Sequence, residues 1–104
     1  MKRRYTAKEL AELSYRDWLE VMKRGSKRLR MRALVAHLAS GAAAEAATMT
    51  GGPVEVTMVI TWPGGKVEMT AGLENIEGEI RMTERSRWVA ENTGEIFEEE
   101  PEVT

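Results

Sequence analysis

The spacing of apolar residues changes once along this chain, at Thr50-Gly51-Gly52-Pro53. Before this point apolar side chains recur with the period of one helix face. After it, residues 54–62 and 67–73 alternate apolar with polar, as in strands with one buried face. Glycine and proline interrupt both kinds of element. The sequence therefore predicts an α+β fold, with two or three N-terminal helices packed on a C-terminal antiparallel sheet of three to five strands.

The first two helices are predicted from their start signals. Thr6-Ala7-Lys8-Glu9 fits a capping box and starts a helix that runs from Ala7 to about Leu13. Ser14 is an N-cap for a second helix, which Gly25 is expected to end in a left-handed conformation. One face of this second helix carries the apolar residues Tyr15, Trp18, Leu19 and Met22.

A third helix is predicted to start after Ser26 and to extend through an alanine-rich stretch to Ala47, with Ser40-Gly41 as a weak point. Its apolar stripe is predicted at Met31, Leu34, Val35 and Leu38. The cations of this helix lie off that stripe, so burial of the stripe would turn them toward solvent.

The β-rich half reads as a hairpin followed by shorter strands. A two-residue connection would pair Ile60 with Val67, and a four-residue connection would pair Trp62 with Val67; both keep the apolar residues on one face. Glu77-Gly78 then leads into a third strand with Ile80 and Met82 inward, and residues 83–87 break the pattern. A last short hairpin is predicted around Asn92-Thr93-Gly94, with Trp88 and Val89 before the turn and Ile96 and Phe97 after it.

With 104 residues the chain is expected to form a single domain. Within it we distinguish a basic helical part at 1–48, an antiparallel β part at 53–97 and a flexible acidic tail at 98–104. Residues 1–38 carry eleven Lys or Arg against four acids, formally +7, whereas residues 39–104 carry four basic residues against thirteen Glu, formally −9. Such asymmetry indicates a surface for nucleic acid, for an acidic partner or for self-association.

No catalytic or cofactor-binding motif is evident in the sequence. There is no cysteine and one histidine, His37, so thiolate chemistry, disulfides and a His-based metal cluster are excluded within one chain. The Gly51-Gly52 and Gly64-Gly65 pairs lack the context of a phosphate-binding loop and fit turns. We expect a protein that is not an enzyme and has no metal or cofactor, with His37 as a structural residue at the edge of the third helix.

Six cations within ten residues are the strongest candidate site. They are Lys23, Arg24, Lys27, Arg28, Arg30 and Arg32, and Arg3 and Arg4 near the N-terminus are expected to assist them. Duplex DNA binds such an array favourably, because Lys and Arg side chains that neutralise phosphate groups release counterions from the DNA. The first hypothesis is thus a small accessory or regulatory protein that binds nucleic acid through this cluster.

The alternative hypothesis is a protein–protein interaction module. In one form it is a homo-oligomeric subunit, of the kind found in viral or mobile-element assemblies, in which basic helices of one copy meet the acidic half of another. In the other form it is an adaptor or inhibitor that docks on an acidic protein surface. The sequence contains no apolar run long enough to cross a membrane, and a cytoplasmic location is expected.

Overall fold

A computed structural model describes residues 5–92 and contains three helices followed by a four-stranded antiparallel sheet. The helices are α1 (Ala7–Ala11), α2 (Tyr15–Arg24) and α3 (Lys27–Thr50). The strands are β1 (Val54–Trp62), β2 (Gly65–Ile76), β3 (Glu79–Met82) and β4 (Arg87–Asn92). This arrangement confirms the predicted α+β fold. Arg3, Arg4, the strand expected at 96–97 and the acidic tail lie outside the described residues.

Each helix begins at the predicted cap. The Thr6 hydroxyl accepts a hydrogen bond from the Glu9 backbone N–H while the Glu9 carboxylate accepts one from the Thr6 N–H, which completes the capping box. Ser14 and Ser26 cap α2 and α3 in the same way. Contrary to the expected weak point, α3 continues unbroken through Ser40 and Gly41 to Thr50.

Gly25 ends α2, but the expected left-handed conformation is wrong. Its φ is −69° and its ψ 157°, an extended conformation that any residue can adopt. Glycine is required there for space, because a Cβ atom would lie 2.6 Å from the Val21 carbonyl oxygen and 3.3 Å from Leu29. A side chain at this position would therefore disturb the last turn of α2 and crowd the Leu29 side chain of α3.

The hairpin of β1 and β2 uses the shorter of the two predicted connections. Ile60 pairs with Val67 and Trp62 with Gly65, so that Pro63 and Gly64 alone form the turn. Gly64 has a φ of +93°, and proline followed by such a residue is typical of a type II turn. The pairing then runs without a shift to Val54 and Leu73, which confirms that the apolar residues of both strands share one face.

The strands β3 and β4 follow one another along the second edge of β2. Leu73 pairs with Met82 of β3, and Thr70 pairs with Arg87 of β4. Between them residues 83–86 leave the ladder, and the Ser86 hydroxyl bonds both the N–H and the C=O of Gly72. β4 contains a further irregularity opposite Glu68 and Met69. The sheet order is thus β1, β2, then β3 and β4 on the far side.

Helix α3 covers the apolar face of the sheet with its small residues. The side chains that it buries most completely are Leu29, Ala33, Val35, Ala36, Ala39, Ala43 and Ala47. They face Val67, Met69 and Ala71 of β2, which are fully buried. The predicted stripe is right in part: Val35 is fully buried, but Leu38 is 43% exposed, and five alanines supply most of the buried face.

Candidate interaction surfaces

The six cations between Lys23 and Arg32 surround the connection of α2 and α3, and we call this group the basic junction. Lys23 and Arg24 lie in the last turn of α2, and the other four lie in the first two turns of α3. Lys23, Arg24 and Lys27 are exposed, whereas Arg28, Arg30 and Arg32 are partly buried. The expectation that burial of the helix leaves all of these side chains in solvent is wrong for the last three.

Arg28 and Arg32 both bind one carboxylate on the sheet. The Arg28 Nε lies 2.7 Å from Glu91 Oε1, and the Arg32 Nε lies 2.8 Å from Glu91 Oε2. The Glu91 and Arg32 side chains are only 14% and 13% exposed, and the Arg32 guanidinium also lies 5.6 Å from the centre of the Trp88 ring. This cluster connects the start of α3 to β4.

The surroundings of the Glu91 carboxyl group change its pKa. Burial by itself would raise its pKa, but the hydrogen bonds and charges of Arg32 and Arg28 outweigh burial and lower the pKa below the ordinary value of 4.5. Glu91 is therefore ionised at neutral pH, and its pairing with both arginines is a structural contact.

Arg24 and Lys23 of the junction are exposed, whereas Arg30 is partly buried. Arg24 lies 3.3 Å from Glu20 one turn earlier, but these side chains are 71% and 55% exposed, so water and salt screen the pair. Lys23 extends into solvent. The Arg30 Nε is buried without a hydrogen-bond partner among residues 5–92.

The start of α3 is electrostatically unlike the other two helix starts. Glu9 lies in the first turn of α1 and Asp17 in the first turn of α2, where carboxylates interact favourably with the positive end of the helix dipole. The first turn of α3 has no acidic residue and carries Lys27, Arg28 and Arg30 instead. The junction thus adds cations to a helix end that is already positive, an arrangement that favours an anion.

His37 lies on the exposed side of α3 and contacts α2. This exposed residue packs its ring against Trp18, with 4.9 Å between the ring centres. Within the described part of the chain, no three His, Asp or Glu side chains come together as metal ligands. A groove of about 780 Å³ at the start of β1 is lined by Glu55, Glu74, Glu84 and Arg85 among others, and Arg85 crosses it to Glu55 at 3.1 Å.

Comparisons with known proteins give no relative. No protein-family model, curated protein or solved structure matches this chain. The residues themselves are therefore the basis for any functional argument. No helix formed by the described residues has the length and apolar character needed to cross a membrane.

A second surface was missed by the sequence reasoning, namely the free edge of β1. In the described residues β1 pairs with β2 alone, and Val59 on its outer face is 49% exposed. The alternation in the sequence predicted which residues of β1 face inward. It did not predict that β1 would be an edge, because that depends on β3 and β4 both joining the opposite side of β2.

Proposed function

We propose that this protein is a non-enzymatic accessory or regulatory protein that binds nucleic acid through the basic junction. Phosphate groups are the ligand that the junction suits, since its cations are not arranged to read base edges and phosphate contacts carry most of the affinity in such cases. Lys23, Arg24, Lys27 and Arg30 are the proposed contact residues. Arg28 and Arg32 have a different role in this proposal: they position the start of α3 on Glu91.

The observation that carries the proposal is the concentration of cations at the positive end of α3. Each cation in the first turn of a helix is unfavourable by a few tenths of a kcal/mol to about 1 kcal/mol. Glu91 on the sheet pairs with two of the arginines. A bound phosphate backbone would interact favourably with the remaining cations and with the helix dipole at once.

The experiment compares two exposed arginines, each of which forms a solvated ion pair. Arg24 pairs with Glu20 at 3.3 Å in the junction, and Arg81 pairs with Glu79 at 3.0 Å on β3. We expect Arg24→Ala to weaken binding to a labelled DNA or RNA duplex several-fold and to reduce the slope of log K against log salt by about one. Arg81→Ala should change neither. Equal effects of the two substitutions would contradict a site at the junction.

The second candidate function is a protein–protein interaction module that acts as a homo-oligomer. It is favoured by the free edge of β1, a feature unrelated to the cations. An unpaired strand edge presents backbone N–H and C=O groups that another strand can bind. This candidate and nucleic-acid binding are compatible, because β1 and the Glu91-bound part of the junction lie on opposite sides of β2.

A further inference from the structure

The free edge of β1 is unusually regular. All nine residues pair with β2 in one continuous register, from Val54 with Leu73 to Trp62 with Gly65. In an antiparallel ladder every second residue turns its N–H and C=O toward the neighbouring strand, and the residues between turn theirs to the other side. Half of the residues of β1 therefore direct their backbone groups away from β2, where no described strand meets them.

Features that protect sheet edges are missing from β1 and present on the opposite side. β1 contains no Pro, Lys, Arg or bulge, and its single charged residue, Glu55, lies near one end beside Arg85. The opposite edge is interrupted at residues 83–86, has an irregularity around Val89 and carries Arg81 and Arg87. The contrast indicates that the edge formed by β3 and β4 is protected from pairing with another strand and that the edge of β1 is not.

The sequence of β1 is complementary to itself when two copies run antiparallel. A two-fold axis through Met58 would place all nine residues opposite a partner. On the inner face Val54 would meet Trp62 of the second copy, and Val56 would meet Ile60, so that apolar residues face each other. On the outer face Glu55 would meet Thr61 and Thr57 would meet Val59. No pair of like charges results.

The burial of the inner face also favours a second copy as the occupant. Val67, Met69 and Ala71 of β2 are 0% exposed. Every inner residue of β1 is only partly buried, although it packs against the same core. Extension of the sheet by an identical strand would cover these apolar side chains.

We infer that two copies of this protein associate through β1, antiparallel and with Met58 on the two-fold axis, and thereby form one continuous sheet. About eight backbone hydrogen bonds would join the copies, two for each of four hydrogen-bonded residue pairs. The Glu91-bound side of each basic junction lies across β2 from β1. Association therefore does not bring these cations of the two copies together.

The first test is the mass of the protein in solution without nucleic acid, by light scattering coupled to size exclusion. The unchanged chain should have twice the monomer mass at tens of micromolar. Val59→Lys should raise the dimer dissociation constant at least tenfold, because it places a cation at the centre of the new ladder. Val89→Lys is the matched control, since Val89 is 46% exposed on the opposite edge, and it should leave the dimer intact. A monomer in every sample would overturn the inference.

The second test measures the register by disulfide formation, for which the cysteine-free chain is well suited. Two copies of Met58→Cys would face each other with their Cα atoms about 4.5 to 5.5 Å apart, within disulfide reach. Two copies of Val56→Cys would be offset by about 13 Å along the strand and should not react. Circular dichroism confirms that both variants fold. A dimer in which Val56→Cys cross-links as fast as Met58→Cys would overturn the proposed pairing, and Arg24→Ala should affect neither result.

Discussion

At the scale of single residues, Glu91 binds two of the six cations of the predicted cluster within the fold. Its carboxylate binds Arg28, 63 positions away along the chain, and Arg32, 59 positions away. The sequence gives no signal for such a contact, because it depends on how β4 lies beside α3. Glu91 is one of thirteen acids in residues 39–104, and only the fold distinguishes it from the rest.

Replacement of Glu91 by glutamine should destabilise the protein by about 1 to 3 kcal/mol, since it removes a largely buried carboxylate from three charge-assisted hydrogen bonds, one from Arg28 and two from Arg32. Urea unfolding at pH 7 measures this. Glu79→Gln is the control: Glu79 also pairs with an arginine, but its side chain is 66% exposed, so the change should stay within about 0.5 kcal/mol. Equal losses in the two variants would show that burial of the Glu91 cluster contributes nothing.

The pH dependence of stability follows from the same residue. The pKa of Glu91 is lower in the folded protein than the ordinary 4.5 of an unfolded chain, so the unfolded state takes up its proton first as the pH falls. The stabilisation is complete well above pH 4.5 and is lost as the pH falls below 4.5 through the lower folded pKa. Glu91→Gln should therefore reduce the loss of stability between pH 6 and pH 3. An unchanged pH profile would contradict the lowered pKa.

At the scale of secondary-structure elements, local signals predicted the starts of the helices and the shared apolar face of the hairpin, and left two pairings of its strands open. Capping by Thr6, Ser14 and Ser26 involves residues three positions apart, and the alternation in β1 and β2 specifies a face without knowledge of the fold. The buried face of α3 was predicted only in part, since Val35 is fully buried and Leu38 is exposed. Alanine gives little signal of burial, so the large residues Leu34 and Leu38 dominated the pattern although they lie on the flank of the helix.

Two glycines in the helical half test this account of the elements. Gly25→Ala should destabilise the protein by roughly 1 to 3 kcal/mol, because its Cβ would lie 2.6 Å from a backbone oxygen. Gly41→Ala should stabilise it by about 0.5 to 1 kcal/mol, since Gly41 lies within α3 with nothing within 4 Å of the new Cβ. Thermal or urea unfolding gives both values. No loss of stability in Gly25→Ala would contradict the lack of space for a Cβ atom at Gly25, and a loss in Gly41→Ala would contradict the open position of Gly41.

At the scale of the whole molecule, the sequence predicted the order of helices before sheet, and it located the cations on the helical side. It did not predict which cations form ion pairs within the fold, because those pairs depend on the contacts between α3 and β4. It also did not identify β1 as an edge, because strand order depends on residues 79–92 joining β2. For the basic junction and for the edge of β1, the sequence therefore gives the residue pattern, and the structure gives its position in the fold.

The cations around the start of α3 lead to the central proposal that the basic junction binds nucleic acid. The most direct test is fluorescence anisotropy of the unchanged protein with labelled duplex DNA and with duplex RNA, at salt concentrations from about 50 to 200 mM. The account predicts measurable binding at the lowest salt and a linear fall of log K with log salt, with a slope of about −3 to −4 for the four proposed contact residues. No binding at about 50 mM salt, or binding that does not vary with salt, would contradict it.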